Sequence, residues 1–299
     1  MSPSIEFGIG LPIVQQVPTQ AQPWEATAGP VDLVRIAQAA DRLGFAWLTC
    51  SDHVAVPASY APSMGATWYE SATTLAFLAA ATQRIRLLSH VLVLPYRHPL
   101  VVAKTFATLD VLSAGRVIIG TGSGHLKPEF RSLGIDHAAR GPMTDEYLEA
   151  LAAALEHAPS SFDGRYVHWR DMFVSPRAVQ QPRPPIWVGG NSNATARRVG
   201  RHAEGWIPWQ LSPADFAPRA AMARTAHAER GRSGSLVLVA PLAAGRVDDA
   251  AALHGQIDEW CAAGATAFHV GFAHRSCDDY IALLERFAGA VGGMQRAGN

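Results

Sequence analysis

The chain has 299 residues, of which 48% are hydrophobic and 17% charged, and its formal net charge is zero. This balance favours a large buried core and excludes a strongly basic surface, so we expect no nonspecific nucleic-acid binding. The length suits one eightfold α/β barrel, which typically takes about 250 residues plus insertions.

The cysteines and the N-terminal residues predict a cytoplasmic protein. The three cysteines, Cys50, Cys261 and Cys277, show neither metal-binding nor redox spacing, which is typical of a reducing compartment. The first residues, MSPSIEFGIGLP, have no basic start and no long apolar run, unlike a signal peptide. A membrane span needs about 20 apolar residues. The sequence offers no such run, so we expect no membrane association.

The first half of the chain alternates apolar runs with segments of helical spacing. In the helix that follows Pro30, Leu33, Ile36 and Leu43 share one face, and Gly44 ends it. The predicted elements of this half are strand 5–11, helix 30–43, strand 45–50, helix 70–83, strand 85–92, helix 102–109, strand 117–120 and helix 143–155.

The alternation breaks at 159–185, where proline and glycine predict a small hairpin in an irregular insertion between the fourth helix and the fifth strand. It then resumes as strand 186–189, helix 194–202, strand 206–208, helix 212–230, strand 236–240, helix 247–263, strand 266–271 and helix 278–291. Eight strand–helix units predict one α/β domain over 1–299, a TIM-like (β/α)8 barrel. A doubly wound open sheet is the alternative.

The segment from Ser89 to Gly124 combines a strand, a helix, a second strand and the glycine-rich turn GTGSG. Glycines at this point predict that the backbone comes close to another group. Because barrel enzymes act at the carboxyl ends of their strands, the turn predicts a ligand site at that face.

A second glycine-containing loop follows the fifth predicted strand and leads directly into a helix. It contains Gly189, Gly190, Asn191, Ser192 and Asn193. Free N–H groups and the helix dipole at such a start form an anion site, and we expect phosphate binding here. The alternative is an ordinary connection with Asn193 as the N-cap.

Three histidines lie at predicted strand ends. His53 follows Asp52 after the second strand, His90 lies in an apolar strand, and His125 follows the glycine-rich turn. Histidine exchanges protons near neutral pH, and a carboxylate can orient it. We expect His53 and His125 to be catalytic. The alternative is a structural histidine for His53 and a surface residue for His125. Zinc ligation by these imidazoles and Asp52 is a further alternative, but no His-x-His or His-x-x-x-His spacing supports it, and we expect no metal.

Four segments resemble the bacterial luciferase-like monooxygenase superfamily, and within it the branch that uses coenzyme F420, a 5-deazaflavin. They are FGIGLP, LGFAWLTCSDH, LVLPYRHPLVVAKTFATLDVLSAGRVIIGTGSG and PPIWVGGNSNATARRVGRHAEGWIP. The resemblance implies a homodimer of TIM-like barrels that binds F420 at the carboxyl face, and FMN is the alternative cofactor.

The resemblance also implies positions for cofactor contacts. The phosphate would lie at Gly189, Gly190, Ser192 and Asn193. The remaining contacts would come from Ser123 and Gly124 along the cofactor, Asp52 and Val93 at the ring or ribityl chain, and a non-proline cis peptide between His90 and Val91 behind the ring.

His53 matches the proton donor of sugar-phosphate dehydrogenases in this branch. Those enzymes carry a glutamate directly after the glycine-rich turn, where this chain has His125, so glucose 6-phosphate is not expected as a substrate. The resemblance implies hydride transfer between F420 and a small organic molecule, by alcohol oxidation or by reduction of an activated double bond. The alternative is an FMN-dependent two-component monooxygenase supplied with reduced flavin by a separate reductase.

Overall fold

The structure is a computed structural model that describes residues 5–232, 234–245 and 247–292. The single domain predicted over 1–299 therefore has both ends outside the described residues. In the described part, no helix combines the length and the apolar character needed to cross a membrane.

The described residues form eleven strands. In chain order they are β1 (Glu6–Gly10), β2 (Trp47–Cys50), β3 (Arg86–Ser89), β4 (Leu92–Val93), β5 (Val117–Gly122), β6 (Ser160–Asp163), β7 (His168–Met172), β8 (Ile186–Gly189), β9 (Gly205–Ile207), β10 (Val237–Ala243) and β11 (Ala267–Gly271). Each predicted strand is present, although most are shorter at one or both ends.

Eight parallel strands close into a barrel. Their order is β3-β2-β1-β11-β10-β9-β8-β5, and pairing of β3 with β5 closes the ring. This closure confirms the predicted TIM-like barrel and excludes the open sheet, because an open sheet leaves two unpaired edges. All carboxyl ends of the barrel strands consequently meet at one rim.

The helices surround the barrel, and each predicted helix is present. They are α1 (Pro30–Leu43), α2 (Ala61–Met64), α3 (Ser71–Ala79), α4 (Pro99–Leu112), α5 (Lys127–Ser132), α6 (Arg140–Glu156), α7 (Asn193–His202), α8 (Pro213–Glu229), α9 (Ala250–Ala262) and α10 (Cys277–Ala290). Between α6 and β8, strands β6 and β7 pair antiparallel as a separate two-stranded sheet.

The barrel interior is filled by a small apolar cluster that is separate from the larger core between strands and helices. Its members are Trp47, Leu88, Ile118, Trp187, Ile207, Val239 and Ala267. Alternate residues of each strand point inward, so a strand residue two positions beyond a cluster member also faces the interior. The cluster therefore forms the floor on which the carboxyl-face site rests.

A bulge separates β3 from β4, and its peptide bond between His90 and Val91 is cis, as the resemblance implied. The Ser89 hydroxyl donates to the carbonyl oxygen of Gly120 at 2.9 Å and accepts from the Gly120 N–H at 3.0 Å. The side chain of Ser89 thus replaces the ladder hydrogen bonds that the strand loses at this point.

The bulge explains the glycines of the GTGSG turn. A Cβ at Gly120 would lie 1.8 Å from the Ser89 carbonyl oxygen, and a Cβ at Gly122 would lie 2.6 Å from a methyl group of Val91. The same Val91 side chain approaches Gly189 equally closely, at 2.6 Å. The glycines therefore make room for the protein's own bulge, which confirms the expectation that the backbone comes close to another group at this turn.

Candidate active site

His53 stands at the rim beyond β2, and its partner is a glutamate from α5. The Nδ1 atom of His53 lies 2.8 Å from Oε2 of Glu129, and the two side chains are 8% and 1% exposed. The carboxylate has no proton to donate when ionised, so Nδ1 carries the hydrogen and Nε2 is left as the atom that can exchange a proton. The structure thus supplies the carboxylate that orients this histidine.

Glu129 is held in place by main-chain and side-chain donors. Its Oε1 accepts from the N–H groups of Val54 at 2.6 Å and Ala55 at 3.1 Å, and its Oε2 also accepts from the Tyr96 hydroxyl at 2.9 Å. Burial by itself raises the pKa of Glu129, but the hydrogen bonds from His53, Ala55 and Tyr96 outweigh it, and the pKa lies below its usual value. Glu129 is therefore an anion at neutral pH.

His125 lies beside this pair. Its ring centroid is 5.8 Å from that of His53, with the two planes nearly perpendicular at 89°. The residue is exposed, and burial of part of the ring and the neighbouring His53 lower its pKa. Both predicted catalytic histidines therefore meet at one place, but only His53 has a carboxylate partner among the described contacts.

Asp52 is occupied by an ion pair inside the protein. Its carboxylate receives two hydrogen bonds from Arg97, at 2.8 and 2.9 Å, and one from the Val93 N–H at 3.1 Å. The Asp52 side chain is fully buried. This bidentate ion pair joins the end of β2 to the segment after the bulge, so Asp52 fixes the positions of Val93 and Arg97 at the site.

The loops after β1 and β2 form one wall of the site. The main chains of Gln16 and Tyr69 bond to Thr67 and Val14, at 3.0 and 2.9 Å. Trp68, which lies in this wall, packs its ring edge-on against His53 with centroids 4.5 Å apart. These main-chain hydrogen bonds thus tie the two loops to each other beside the His53 ring.

The start of α7 is the place where the sequence predicts an anion site. Ser192 is the N-cap and accepts from the Thr195 N–H at 3.1 Å, while the N–H groups of Asn193 and Ala194 begin the helix and lack intrahelical acceptors. Gly190 has φ of 119°, and a Cβ there would lie 3.0 Å from the Thr195 hydroxyl. An exposed helix start of this kind, preceded by a tight glycine turn, fits a phosphate group.

The side chain of Asn191 makes hydrogen bonds within the protein. It bonds to the backbone of Trp209 twice, through Nδ2 to the carbonyl oxygen at 2.5 Å and through Oδ1 from the N–H at 3.1 Å. Asn191 therefore joins the loops after β8 and β9. Trp206 is fully buried and donates to the Gly190 carbonyl oxygen at 2.9 Å.

Ser123 is connected to α7 through an arginine. Arg198 donates to the Ser123 hydroxyl at 3.1 Å and to Asp145 at 2.6 Å. Gly124 has φ of 69°, and a Cβ there would lie 2.6 Å from a methyl group of Val93. These contacts join the glycine-rich turn to α7 through Arg198 and to the segment after the bulge through Val93.

A second pair of histidines lies closer to the barrel interior than His53 and His125. His90 at the bulge and His269 on β11 have ring centroids 4.9 Å apart. Burial lowers the pKa of His90 to about 4, against a smaller opposing effect of the Ile207 main chain. Nδ1 of His269 is buried and has no hydrogen-bond partner among the residues that the structure describes.

The donor set fits a phosphorylated ring cofactor better than a metal ion. The orphaned Nδ1 of His269 and the start of α7 both lack partners that such a cofactor supplies. Within 5–232, 234–245 and 247–292, no three His, Cys, Asp or Glu side chains are grouped to hold a metal ion.

Sequence reasoning missed Glu129, Arg97 and His269. Glu129 is 76 positions from His53, and its segment carries no motif of its own. One signal was present for His269, a polar residue in the otherwise apolar strand AFHVG. Arg97 offered none, since its partner Asp52 precedes it by 45 positions.

Comparison with known proteins identifies the family. A model of the luciferase-like monooxygenase family matches residues 5–286. An uncharacterised protein of Mycobacterium tuberculosis (strain ATCC 25618 / H37Rv) is 33% identical over 217 residues, which cover 72% of this chain and 73% of that protein. An FMNH(2)-dependent dimethylsulfone monooxygenase of Pseudomonas putida is 30% identical over 210 residues, which cover 69% of this chain and 56% of that protein.

Solved structures share the fold. An F420-dependent secondary alcohol dehydrogenase in complex with an F420-acetone adduct superposes with a TM-score of 0.79 at 16% identity, covering 97% of this chain and 99% of that one. At this identity the likeness concerns the fold alone. Because the family model spans almost all of the described residues, the protein belongs to the luciferase-like monooxygenase family of oxidoreductases and monooxygenases.

Proposed function

We propose that this protein is an F420-dependent oxidoreductase that transfers a hydride between the deazaflavin and a small organic substrate. The observation that carries the proposal is the buried His53–Glu129 pair at the rim, with its 2.8 Å contact. Hydride transfer to or from a carbon that bears a hydroxyl requires a proton acceptor or donor at the oxygen. When bound, the deazaflavin supplies the hydride chemistry at C5.

Residues of the chain would bind the cofactor phosphate and transfer the proton. The start of α7, with Gly190, Ser192 and Asn193, would hold the cofactor phosphate. Nε2 of His53 would take the hydroxyl proton when an alcohol is oxidised, and would return a proton when a double bond is reduced. Glu129 orients the His53 ring, because its carboxylate is ionised and buried beside Nδ1.

The surroundings of His53 favour a substrate with an apolar body. Trp68 covers the His53 ring, and Trp209 is half-exposed, 50% by area, in the loop after β9. Aromatic walls bury apolar groups and exclude water from the reacting atoms. The F420-dependent alcohol dehydrogenase of the same fold supports alcohol oxidation as the first reaction to test.

A second candidate is an FMN-dependent two-component monooxygenase that receives reduced flavin from a separate reductase. The observation in its favour is the 30% identity to the FMNH(2)-dependent dimethylsulfone monooxygenase. Both candidates use the same phosphate site, so cofactor binding and the consumption of oxygen distinguish them.

The test is fluorescence titration of the purified protein with F420 and with FMN. Micromolar binding of F420 with negligible binding of FMN supports the proposal. The reverse result, together with oxygen consumption in the presence of reduced FMN and substrate, would transfer the assignment to the monooxygenase.

A matched pair of variants locates the phosphate. Asn and Asp are both good N-caps and differ mainly in charge, so Ser192→Asn should retain cofactor affinity while Ser192→Asp should lose it about a hundredfold through repulsion at the helix start. Equal affinities of the two variants would remove the phosphate from α7.

A further inference from the structure

The histidine pair His90–His269 lies inside the barrel, above the apolar floor. His269 is two residues beyond Ala267, a member of the interior cluster, and therefore shares its inward face. A Cβ added to Gly10 on the neighbouring strand would lie 3.2 Å from Nε2 of His269. The rings of His90 and His269 meet edge to face, with an angle of 74° between them.

Both rings are neutral at physiological pH. Burial lowers the pKa of His90 to about 4, and burial together with the nearby His90 lowers the pKa of His269 well below its ordinary value. A neutral imidazole has one N–H donor and one lone-pair acceptor. The pair is thus a neutral hydrogen-bonding group and is unsuited to holding a phosphate or a carboxylate.

One of these hydrogen-bonding atoms lacks a partner. Nδ1 of His269 is buried, and no acceptor or donor within the described ranges reaches it. Buried polar atoms in folded proteins are nearly always hydrogen-bonded, because an unsatisfied one destabilises the fold. A ligand that reaches the floor of the mouth would supply the missing partner.

The pair belongs to the same surface as the candidate phosphate site. His90 precedes Val91, whose side chain lies between Gly122 at the end of β5 and Gly189 at the end of β8. β5 leads to Ser123, and β8 leads to the start of α7. A cofactor anchored by its phosphate at α7 therefore occupies the mouth whose floor carries the two histidines.

We infer that His269 is a cofactor-binding residue that hydrogen-bonds through Nδ1 to the pyrimidinedione edge of the cofactor ring, with His90 holding the His269 ring in position. That edge presents carbonyl oxygens and an N–H group, which a neutral imidazole matches as donor or acceptor. The inference rests on the proposed function only in requiring a deazaflavin or a flavin, because F420 and FMN share this edge.

The experiment compares His269→Leu, which removes the hydrogen bond, with His269→Asn, which retains a short polar side chain. His168→Leu serves as the control, because His168 is an exposed histidine on the antiparallel sheet. Dissociation constants for F420 and FMN are measured by fluorescence, and the melting temperature of each protein is measured without cofactor. Loss of one hydrogen bond should weaken binding of the preferred cofactor about tenfold in His269→Leu, with most of the affinity recovered in His269→Asn.

Without cofactor, His269→Leu should melt at or above the wild-type temperature, because it removes an unsatisfied buried atom. Binding within twofold of wild type in His269→Leu would overturn the inference. Equal losses of affinity in both variants with a lowered melting temperature would also overturn it, since the residue then acts only in packing. If the wild-type protein binds FMN and not F420, the F420 assignment fails while the FMN titrations still decide the role of His269.

Discussion

His53 and His90 are both covered at the mouth of the barrel, but their rings meet different partners. His53 contacts the buried carboxylate of Glu129, whereas His90 contacts another histidine, His269. A carboxylate stabilises a protonated imidazole, and a second imidazole in a buried place does not. One fold thereby holds one histidine suited to proton transfer and a pair suited to neutral hydrogen bonding.

The difference follows from which elements meet at each place. α5 brings Glu129 over the end of β2, where the N–H groups of Val54 and Ala55 fix the carboxylate. The barrel interior brings together only strand residues, and its neighbours there are apolar. The rim therefore holds a charged carboxylate, whereas the neighbours on the floor are apolar.

The largest expected effect is on turnover in His53→Ala. General acid–base catalysis contributes about 10²–10⁴-fold, so we expect turnover to fall by that factor while cofactor affinity stays within about tenfold. Steady-state kinetics with the accepted substrate and fluorescence titration measure the two quantities. A variant with wild-type turnover would remove His53 from the mechanism.

The second prediction concerns the pH dependence of stability at His90. Its pKa is about 4 in the folded protein and about 6.5 in an unfolded chain. The unfolded state therefore takes up the proton first, and stability falls as the pH drops from about 6.5 to 4, by up to about 3 kcal/mol.

Urea unfolding at several pH values tests this, with His90→Asn as the comparison because asparagine does not titrate. The variant should lose less stability than the wild type over that interval. If the free energy of unfolding changed with pH in the same way for both proteins, the pKa of His90 would be the same in the folded and unfolded states, and the prediction would be wrong.

Glu129→Gln should lower turnover about 10–100-fold, less than the loss of His53 itself. Glutamine keeps the shape but lacks the negative charge that supports a protonated ring, so the effect should fall on kcat, with cofactor affinity unchanged.

The lowered pKa of Glu129 also means that its contribution to stability is present above about pH 4.3 and lost at lower pH. The stability gap between wild type and variant should therefore narrow on acidification, and a gap that is the same at every pH would contradict an ionised carboxylate.

The smallest effect is expected for His125→Asn. His125 is exposed and has no carboxylate partner among the described contacts, so we expect turnover to change only about threefold. A loss as large as that of His53→Ala would place the main proton transfer at His125 and reverse the comparison.

Local patterns in the sequence predicted the fold well. Period-two apolar runs and glycine-bounded helices located the eight strands and their helices, because such elements depend on residues close along the chain. They also located His53, His125 and the start of α7, since these follow strands whose carboxyl ends share one rim. The cis bond at His90–Val91 came from the family resemblance, because no local preference indicates it.

Contacts between distant segments were not predictable in this way. Nothing near Glu129 indicates that it lies against His53, and Asp52 pairs with an arginine that belongs to the following strand–helix unit. The group that the GTGSG turn approaches was not predictable for the same reason. A side chain at its glycines would overlap with the bulge between β3 and β4, and the turn's own residues do not indicate that bulge.

By itself, the sequence determined an eightfold α/β barrel, its rim of polar residues and its membership of the luciferase-like monooxygenase family. Only the tertiary structure decided which histidine has a carboxylate and which has a second histidine for a neighbour. The physical reason is that periodicity and turn preferences act over a few residues, whereas the ionisation and hydrogen bonding of a buried ring depend on whatever distant side chains the closed barrel packs against it.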